Sequence, residues 1–135
     1  MNTSQAPPAE DADRILLVDD DATNLDVLRH TLDGRGYRLF VTRSGESALE
    51  VARRVHPALV LLDVVMPGID GYETCRRIRQ NRWSKDMRCI AVTGWGQDED
   101  RRRSAAAGFD EHLVKPVEPA LLERVLGGVQ STAQA

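Results

Sequence analysis

The chain of 135 residues lacks several features that mark common functional classes. It has no apolar run as long as a membrane span, and its N-terminus lacks the basic and then apolar plan of a signal peptide. Its two cysteines, Cys75 and Cys89, do not have the spacing of metal ligands. The formal net charge of −3 provides no general attraction for nucleic acid or anionic lipid. These absences predict a cytoplasmic protein with reduced thiols, for which neither nucleic acid nor a membrane is a direct partner.

The composition is typical of a single globular domain. The chain is 41% hydrophobic and 29% charged, and its length allows a core without disulfides or metal ions. Residues 1–13 and 129–135 are polar and aperiodic, and they are predicted to be flexible tails. Residues 14–128 are predicted to form the folded domain, with no output domain after it.

Five short aliphatic runs alternate with segments of helical periodicity. The runs are typical of strands buried on both faces, and the segments between them carry apolar residues three and four positions apart. The predicted strands are 14–19, 37–42, 58–63, 88–94 and 111–115, and the predicted helices are 23–34, 45–55, 71–80, 98–107 and 118–128. This alternation predicts a doubly wound α/β fold with a parallel sheet and helices on both of its faces.

Polar residues follow four of the predicted strands. The carboxyl ends of parallel strands border one crevice, where ligands bind in such folds. These residues are Asp19, Asp20, Asp63, Thr93, Gly94 and Lys115. Crowded carboxylates raise one another's pKa unless a cation lies among them, and Mg²⁺ prefers a few carboxylates with water and phosphate oxygens. The crevice is therefore predicted to hold a magnesium ion and a phosphoryl group. Lys115 would neutralise phosphoryl oxygens, Thr93 and the Gly94 N–H would donate to them, and one carboxylate could become an aspartyl phosphate.

Four motifs, in this order and spacing, resemble the receiver domain of two-component response regulators: LLVDDD, LVLLDVVMPGIDG, AVTGWG and LVKP. The resemblance covers about residues 14–126 and implies a flavodoxin-like (βα)5 sandwich with strand order 2-1-3-4-5. It is especially close to receivers fused to hybrid histidine kinases. A stand-alone receiver and a receiver detached from a larger protein both stay open.

The resemblance implies a role for each matching residue. Asp63 is the implied phosphoacceptor, and Thr93 and Lys115 are the implied phosphoryl-binding residues. The implied ligands of the Mg²⁺ or Mn²⁺ ion are Asp19, Asp20, Asp63 and the backbone carbonyl of Val65. The peptide bond between Lys115 and Pro116 is implied to be cis.

The resemblance also implies partners and a switch. A sensor histidine kinase or a histidine phosphotransfer protein would donate the phosphoryl group from a phosphohistidine. Thr93 and His112 would then move and alter the face made by the fourth helix, fifth strand and fifth helix, which would bind a downstream protein. The chain would catalyse its own phosphorylation and dephosphorylation without being a turnover enzyme, as a monomer or a phosphorylation-dependent dimer. Because Val65 and Trp95 are apolar and flank the approach of water, dephosphorylation is expected to be slow.

Two rival interpretations stay open. Asp19, Asp21 and Thr23 resemble the opening motif of haloacid dehalogenase-type phosphohydrolases, in which Asp19 would be the nucleophile and Asp21 the acid/base. That interpretation leaves Asp63 unexplained and lacks the family's final acidic motif after Lys115. The other rival is a receiver that no longer accepts phosphate and only binds partners. Under the preferred interpretation, Asp21 is an exposed acid that favours the start of the first helix.

Overall fold

A five-stranded parallel sheet forms the centre of the computed structural model, which describes residues 13–94 and 98–127. The strands are β1 (Arg14–Val18), β2 (Arg38–Thr42), β3 (Leu59–Asp63), β4 (Arg88–Thr93) and β5 (Glu111–Val114), in the order β2-β1-β3-β4-β5. The helices are α1 (Ala22–Leu32), α2 (Gly45–Val55), α3 (Gly71–Arg79), α4 (Asp98–Ala107) and α5 (Pro119–Leu126), with a 3₁₀ turn at Arg82–Ser84. The predicted fold class and strand order are confirmed, and each predicted element agrees within two residues. The 3₁₀ turn was not predicted.

Two hydrophobic clusters cover the two faces of the sheet, because alternate residues of a strand point to opposite sides. Leu59 and Leu61 of β3 pack in the cluster that includes α1 and α5. Val60 and Leu62 pack in the cluster that includes α2, α3 and the end of α4. This double burial explains the continuous apolar run of β3. It leaves the carboxyl end of the strand as the place where a polar side chain meets solvent.

Aspartates cap the two helices that begin nearest this edge. The side chain of Asp21 accepts a hydrogen bond from the Thr23 N–H at 3.0 Å at the start of α1. The side chain of Asp70 accepts one from the Glu73 N–H at 2.9 Å at the start of α3. Both satisfy a backbone donor that the helix itself leaves unpaired. The prediction that Asp21 is an exposed acid at the start of the first helix is confirmed.

The packed part of the chain begins at Asp13, one residue before the predicted domain boundary. Asp13 is buried, and its carbonyl accepts a hydrogen bond from the Arg38 N–H at 2.9 Å. Cys75 and Cys89 are free thiols buried in the core. Across the described ranges, none of the helices has the length and apolar character needed to cross a membrane. Residues 1–12 and 128–135 of the two predicted tails, and Trp95, lie outside the described residues.

Candidate metal centre

Three carboxylates converge where β1 and β3 end. The two strands are neighbours with Val18 opposite Leu62, so Asp19 and Asp20 emerge beside Asp63. One carboxylate oxygen of each aspartate lies within 4.8 Å of the others. Asp19 and Asp63 are 2% and 4% exposed, and Asp20 is half-buried. Because hard oxygen ligands in such a cluster are those that Mg²⁺ prefers, the residues fit a divalent ion.

The electrostatics of Asp63 show an excess of negative charge at this point. Burial and the charge of Asp19 raise the pKa of Asp63 to about 6, although Lys115 and a hydrogen bond from the Val65 N–H act in the opposite direction. That hydrogen bond reaches Asp63 Oδ1 at 3.3 Å. The pKa stays raised even with a lysine in contact, so a divalent cation among these acids would be stabilising.

Lys115 bridges the two buried acids. Its Nζ lies 3.3 Å from Asp19 Oδ2 and 3.4 Å from Asp63 Oδ1. Desolvation acts to lower the pKa of Lys115, but the charges of Asp63 and Asp19 outweigh it, and the pKa is raised. The ammonium therefore stays charged beside the acids. Lys115 directly follows β5, its N–H donates to the Thr93 carbonyl at 2.7 Å, and its peptide bond to Pro116 is cis as predicted.

Thr93, Gly94 and Val65 border the same crevice. Asp63 pairs with Val92 in the sheet, so Thr93 lies one residue further along β4, and it is 1% exposed. Gly94 is exposed, and a Cβ added there would meet no atom within 4 Å, which leaves open space above the site. Val65 follows Asp63 by two residues and its apolar side chain is 56% exposed. The structure thus places these three predicted residues around the acidic cluster.

His112 lies further from the acids, on the side of the sheet that faces α4. It pairs with Ala91, two residues before Thr93, so both side chains project to this side. His112 is half-buried, and its Nδ1 lies 3.0 Å from the hydroxyl of Ser104 in α4. The structure therefore connects the predicted switch residues through neighbouring strands and connects His112 to α4.

Two residues that the sequence analysis did not single out contact the acidic pair. Asn24 in the first turn of α1 donates from Nδ2 to Asp19 Oδ2. Arg43 donates from Nη2 to the carbonyl of Asp20 at 2.8 Å. Arg43 follows β2 at the same edge of the sheet, so the rule that identified the other residues applied to it as well. Asn24 carried no comparable signal, because its contact depends on how α1 starts.

Comparisons with known proteins agree with this geometry. The family model of the response regulator receiver domain matches residues 15–126. An uncharacterized 14.6 kDa protein of Leptolyngbya boryana is 37% identical over 83% of this chain and 86% of its own length. The probable transcriptional regulator ycf27 of Pyropia yezoensis is 39% identical over 82% of this chain. The chain spans 44% of that regulator, so the regulator's remaining part has no counterpart here.

A solved structure extends the comparison to the site. The receiver domain of sensor histidine kinase PA1611 from Pseudomonas aeruginosa was solved with a magnesium ion coordinated in its active site cleft. It is 33% identical with a TM-score of 0.78, and the match covers 84% of this chain and 93% of that domain. Together with the sheet order and the match of the family model, this likeness leads to one conclusion: the chain belongs to the response regulator receiver domain family.

Proposed function

We propose that this chain is the phosphoacceptor of a two-component phosphorelay and that Asp63 receives the phosphoryl group. The observation that carries the proposal is the buried Asp63 carboxylate, which is held between Lys115 and the acidic pair at an open edge of the sheet. The donor is a phosphohistidine on a sensor histidine kinase or a histidine phosphotransfer protein. We place the reaction in the cytoplasm.

The residues present supply what phosphoryl transfer requires. A carboxylate oxygen of Asp63 attacks phosphorus, the phosphorus–nitrogen bond breaks, and the imidazole of the donor leaves with the electron pair. Lys115 pairs with the phosphoryl oxygens, while the Thr93 hydroxyl and the Gly94 N–H donate to them. When bound, Mg²⁺ would be held by Asp19, Asp20, Asp63 and the Val65 carbonyl and would neutralise developing charge. The chain therefore catalyses its own modification and is not a turnover enzyme.

The proposal is tested by treating the protein with acetyl phosphate, with and without Mg²⁺. We expect intact mass spectrometry to show one added phosphoryl group only when Mg²⁺ is present. Mg²⁺ alone should raise the melting temperature, because it binds the assembled cluster and not the unfolded chain. At ten times its Kd the gain in stability is about 1.4 kcal/mol. If the protein shows neither the adduct nor the stabilisation, it is a receiver that only binds partners.

The phosphohydrolase alternative receives no support from this site. It requires Asp21 as an acid/base, but Asp21 is exposed and its side chain caps α1. Among the described residues, the acids that cluster are Asp19, Asp20 and Asp63. Asp63, which that alternative leaves unused, is one of the two nearly buried members.

Replacing His112 with alanine should leave phosphorylation intact but weaken its effect on the face made by α4, β5 and α5. The phosphoryl group draws Thr93 inward, and the imidazole of His112 then moves into the space that opens. Beryllofluoride mimics the phosphoryl group, and NMR shifts of α4, β5 and α5 report the change. Most of the wild-type shift change should be lost in His112→Ala and kept in Glu111→Gln, a control on the same strand. Unaltered shifts in His112→Ala would show that this histidine is not the switch.

Replacing Val65 with asparagine should shorten the lifetime of the phosphorylated protein. The exposed valine cannot orient water toward the acyl phosphate, whereas an amide can. One oriented hydrogen bond of about 1.4 kcal/mol in the transition state gives about a tenfold faster decay. The decay is measured by mass spectrometry after the phosphodonor is removed. Val65→Ala is the matched control, since it removes apolar bulk without adding a polar group, and equal decay of the two variants would contradict the account.

A further inference from the structure

We infer that Asn24 is a positioning residue for the metal ion and that it holds Asp19 in place when Lys115 turns to the phosphoryl group. This inference rests on the proposed function and concerns the same site. Asn24 itself is half-buried in the first turn of α1, and its Nδ2 donates to Asp19 Oδ2. No metal ligand or phosphoryl-binding role falls on Asn24.

Asp19 is a buried carboxylate with three donors. Its Oδ1 accepts from the Asp21 N–H at 2.9 Å, and its Oδ2 accepts from Asn24 and lies 3.3 Å from Lys115 Nζ. A carboxylate that is 2% exposed depends on such partners, because water cannot replace them. The loss of any one donor therefore changes the orientation of the carboxylate.

The three donors differ in how firmly they are held. The Asp21 N–H is part of the backbone, and Asn24 belongs to a helix that Leu25 and Leu28 anchor in the core. Lys115 has a long side chain, is 27% exposed and is shared with Asp63. When Lys115 pairs with the oxygens of a phosphoryl group, Asn24 is the side-chain donor that stays on Asp19 Oδ2.

An amide is the suitable chemical type for this task. It donates a hydrogen bond but carries no charge, so it orients Asp19 without neutralising the cluster that attracts the metal ion. A lysine or arginine at this position would compete with the ion for the same oxygens. Partners that orient metal ligands in this way typically account for about 10- to 100-fold in metal affinity.

The experiment measures the Kd for Mg²⁺ by calorimetry and the melting temperature of the metal-free protein. Asn24→Ala and Asn24→Leu both remove the donor, and Leu keeps helix propensity and fills the space, so a folded variant is available. We expect both to weaken Mg²⁺ binding by about tenfold or more and Asn24→Gln, which keeps the amide, to restore part of the affinity. Val27→Ala, an exposed position one turn further along α1, is the control and should keep the wild-type Kd.

The outcomes separate this inference from the proposed function. Donor-free variants that bind Mg²⁺ with the wild-type Kd overturn the inference alone, whether or not their melting temperature falls, because a purely structural role would lower only the melting temperature. A wild-type protein that binds no Mg²⁺ overturns the proposed function and this inference with it. Weaker Mg²⁺ binding in both donor-free variants, together with an unchanged Val27→Ala, supports Asn24 as a positioning residue.

Discussion

Replacement of Asp63 with asparagine abolishes phosphorylation by acetyl phosphate under conditions in which the wild-type protein is labelled. The amide has nearly the shape of the carboxylate, but it lacks the anionic oxygen that attacks phosphorus. The other groups of the site, Lys115 and Thr93 among them, remain in the variant. Intact mass spectrometry in the presence of Mg²⁺ should therefore show no added phosphoryl group, a complete loss and not a reduced rate.

The same substitution should change how stability depends on pH in the absence of Mg²⁺. The pKa of Asp63 is raised from 3.8 to about 6, so between these values the folded chain binds more protons than the unfolded chain. Stability of the wild-type protein therefore falls as pH rises from about 4 to about 6 and stays lower above that. The asparagine variant lacks this loss and should be more stable at neutral pH by about 1–3 kcal/mol. Urea unfolding of both proteins across this pH range measures the difference.

A matched control makes the test specific to Asp63. Asp21→Asn removes the same charge from an exposed helix cap, and asparagine caps helices about as well as aspartate. That variant should be phosphorylated as the wild type is. Labelling that survives Asp63→Asn and disappears with Asp19→Asn would instead favour the phosphohydrolase interpretation, in which Asp19 is the nucleophile.

The central part of this site was predictable because it follows from the architecture. The run of aliphatic residues in β3 admits only a strand covered on both faces, so the position of Asp63 at its end follows directly. Lys115 follows from the same rule applied to β5. Parallel strands bring their carboxyl ends to one edge, and no knowledge of side-chain packing is needed to reach that conclusion.

The contacts of Asn24 and Arg43 were not predictable in this way. The amide of Asn24 meets Asp19 only because α1 begins at Ala22, and a helix start that differs by one residue rotates each side chain by about 100°. Sequence periodicity locates such boundaries only to within two to four residues, as a general rule about element ends. Arg43 has a long side chain whose direction is decided by its hydrogen bond to the Asp20 carbonyl. Contacts of this kind depend on the folded structure and not on a pattern.

Replacement of Gly71 with alanine should destabilise the protein by about 3 kcal/mol and lower its melting temperature by roughly 10 °C. A Cβ added at this position would lie 2.4 Å from the carbonyl oxygen of Asp63 and 2.6 Å from the Cα of Val64. Both are backbone atoms at the buried end of β3, so neither can rotate away. The Gly71 N–H also donates to the Val64 carbonyl at 2.9 Å, which closes the loop 64–70 on the strand.

Local propensity alone predicts the opposite sign. Gly71 is the first residue of α3, and alanine in a helix is more favourable than glycine by roughly 0.5–1 kcal/mol. The overlap dominates, because both distances are far below the roughly 3.5 Å at which carbon atoms make favourable contact. Relief requires the loop to move, and that loop begins with the residues that directly follow Asp63. Gly71→Ala should therefore also weaken Mg²⁺ binding, through Asp63 and the carbonyl of Val65.

Gly94→Ala separates the steric cause from the loss of a glycine as such. An added Cβ at Gly94 meets no atom within 4 Å, so the same exchange should change the free energy of unfolding by less than about 0.5 kcal/mol. Urea unfolding of the two variants without Mg²⁺ makes the comparison. If Gly71→Ala is as stable as Gly94→Ala, the loop yields at no cost and does not hold Asp63 in place. A large loss confined to Gly71→Ala shows that α3 must approach the end of β3 closely for the carboxylate of Asp63 to stay where the acidic pair and Lys115 meet it.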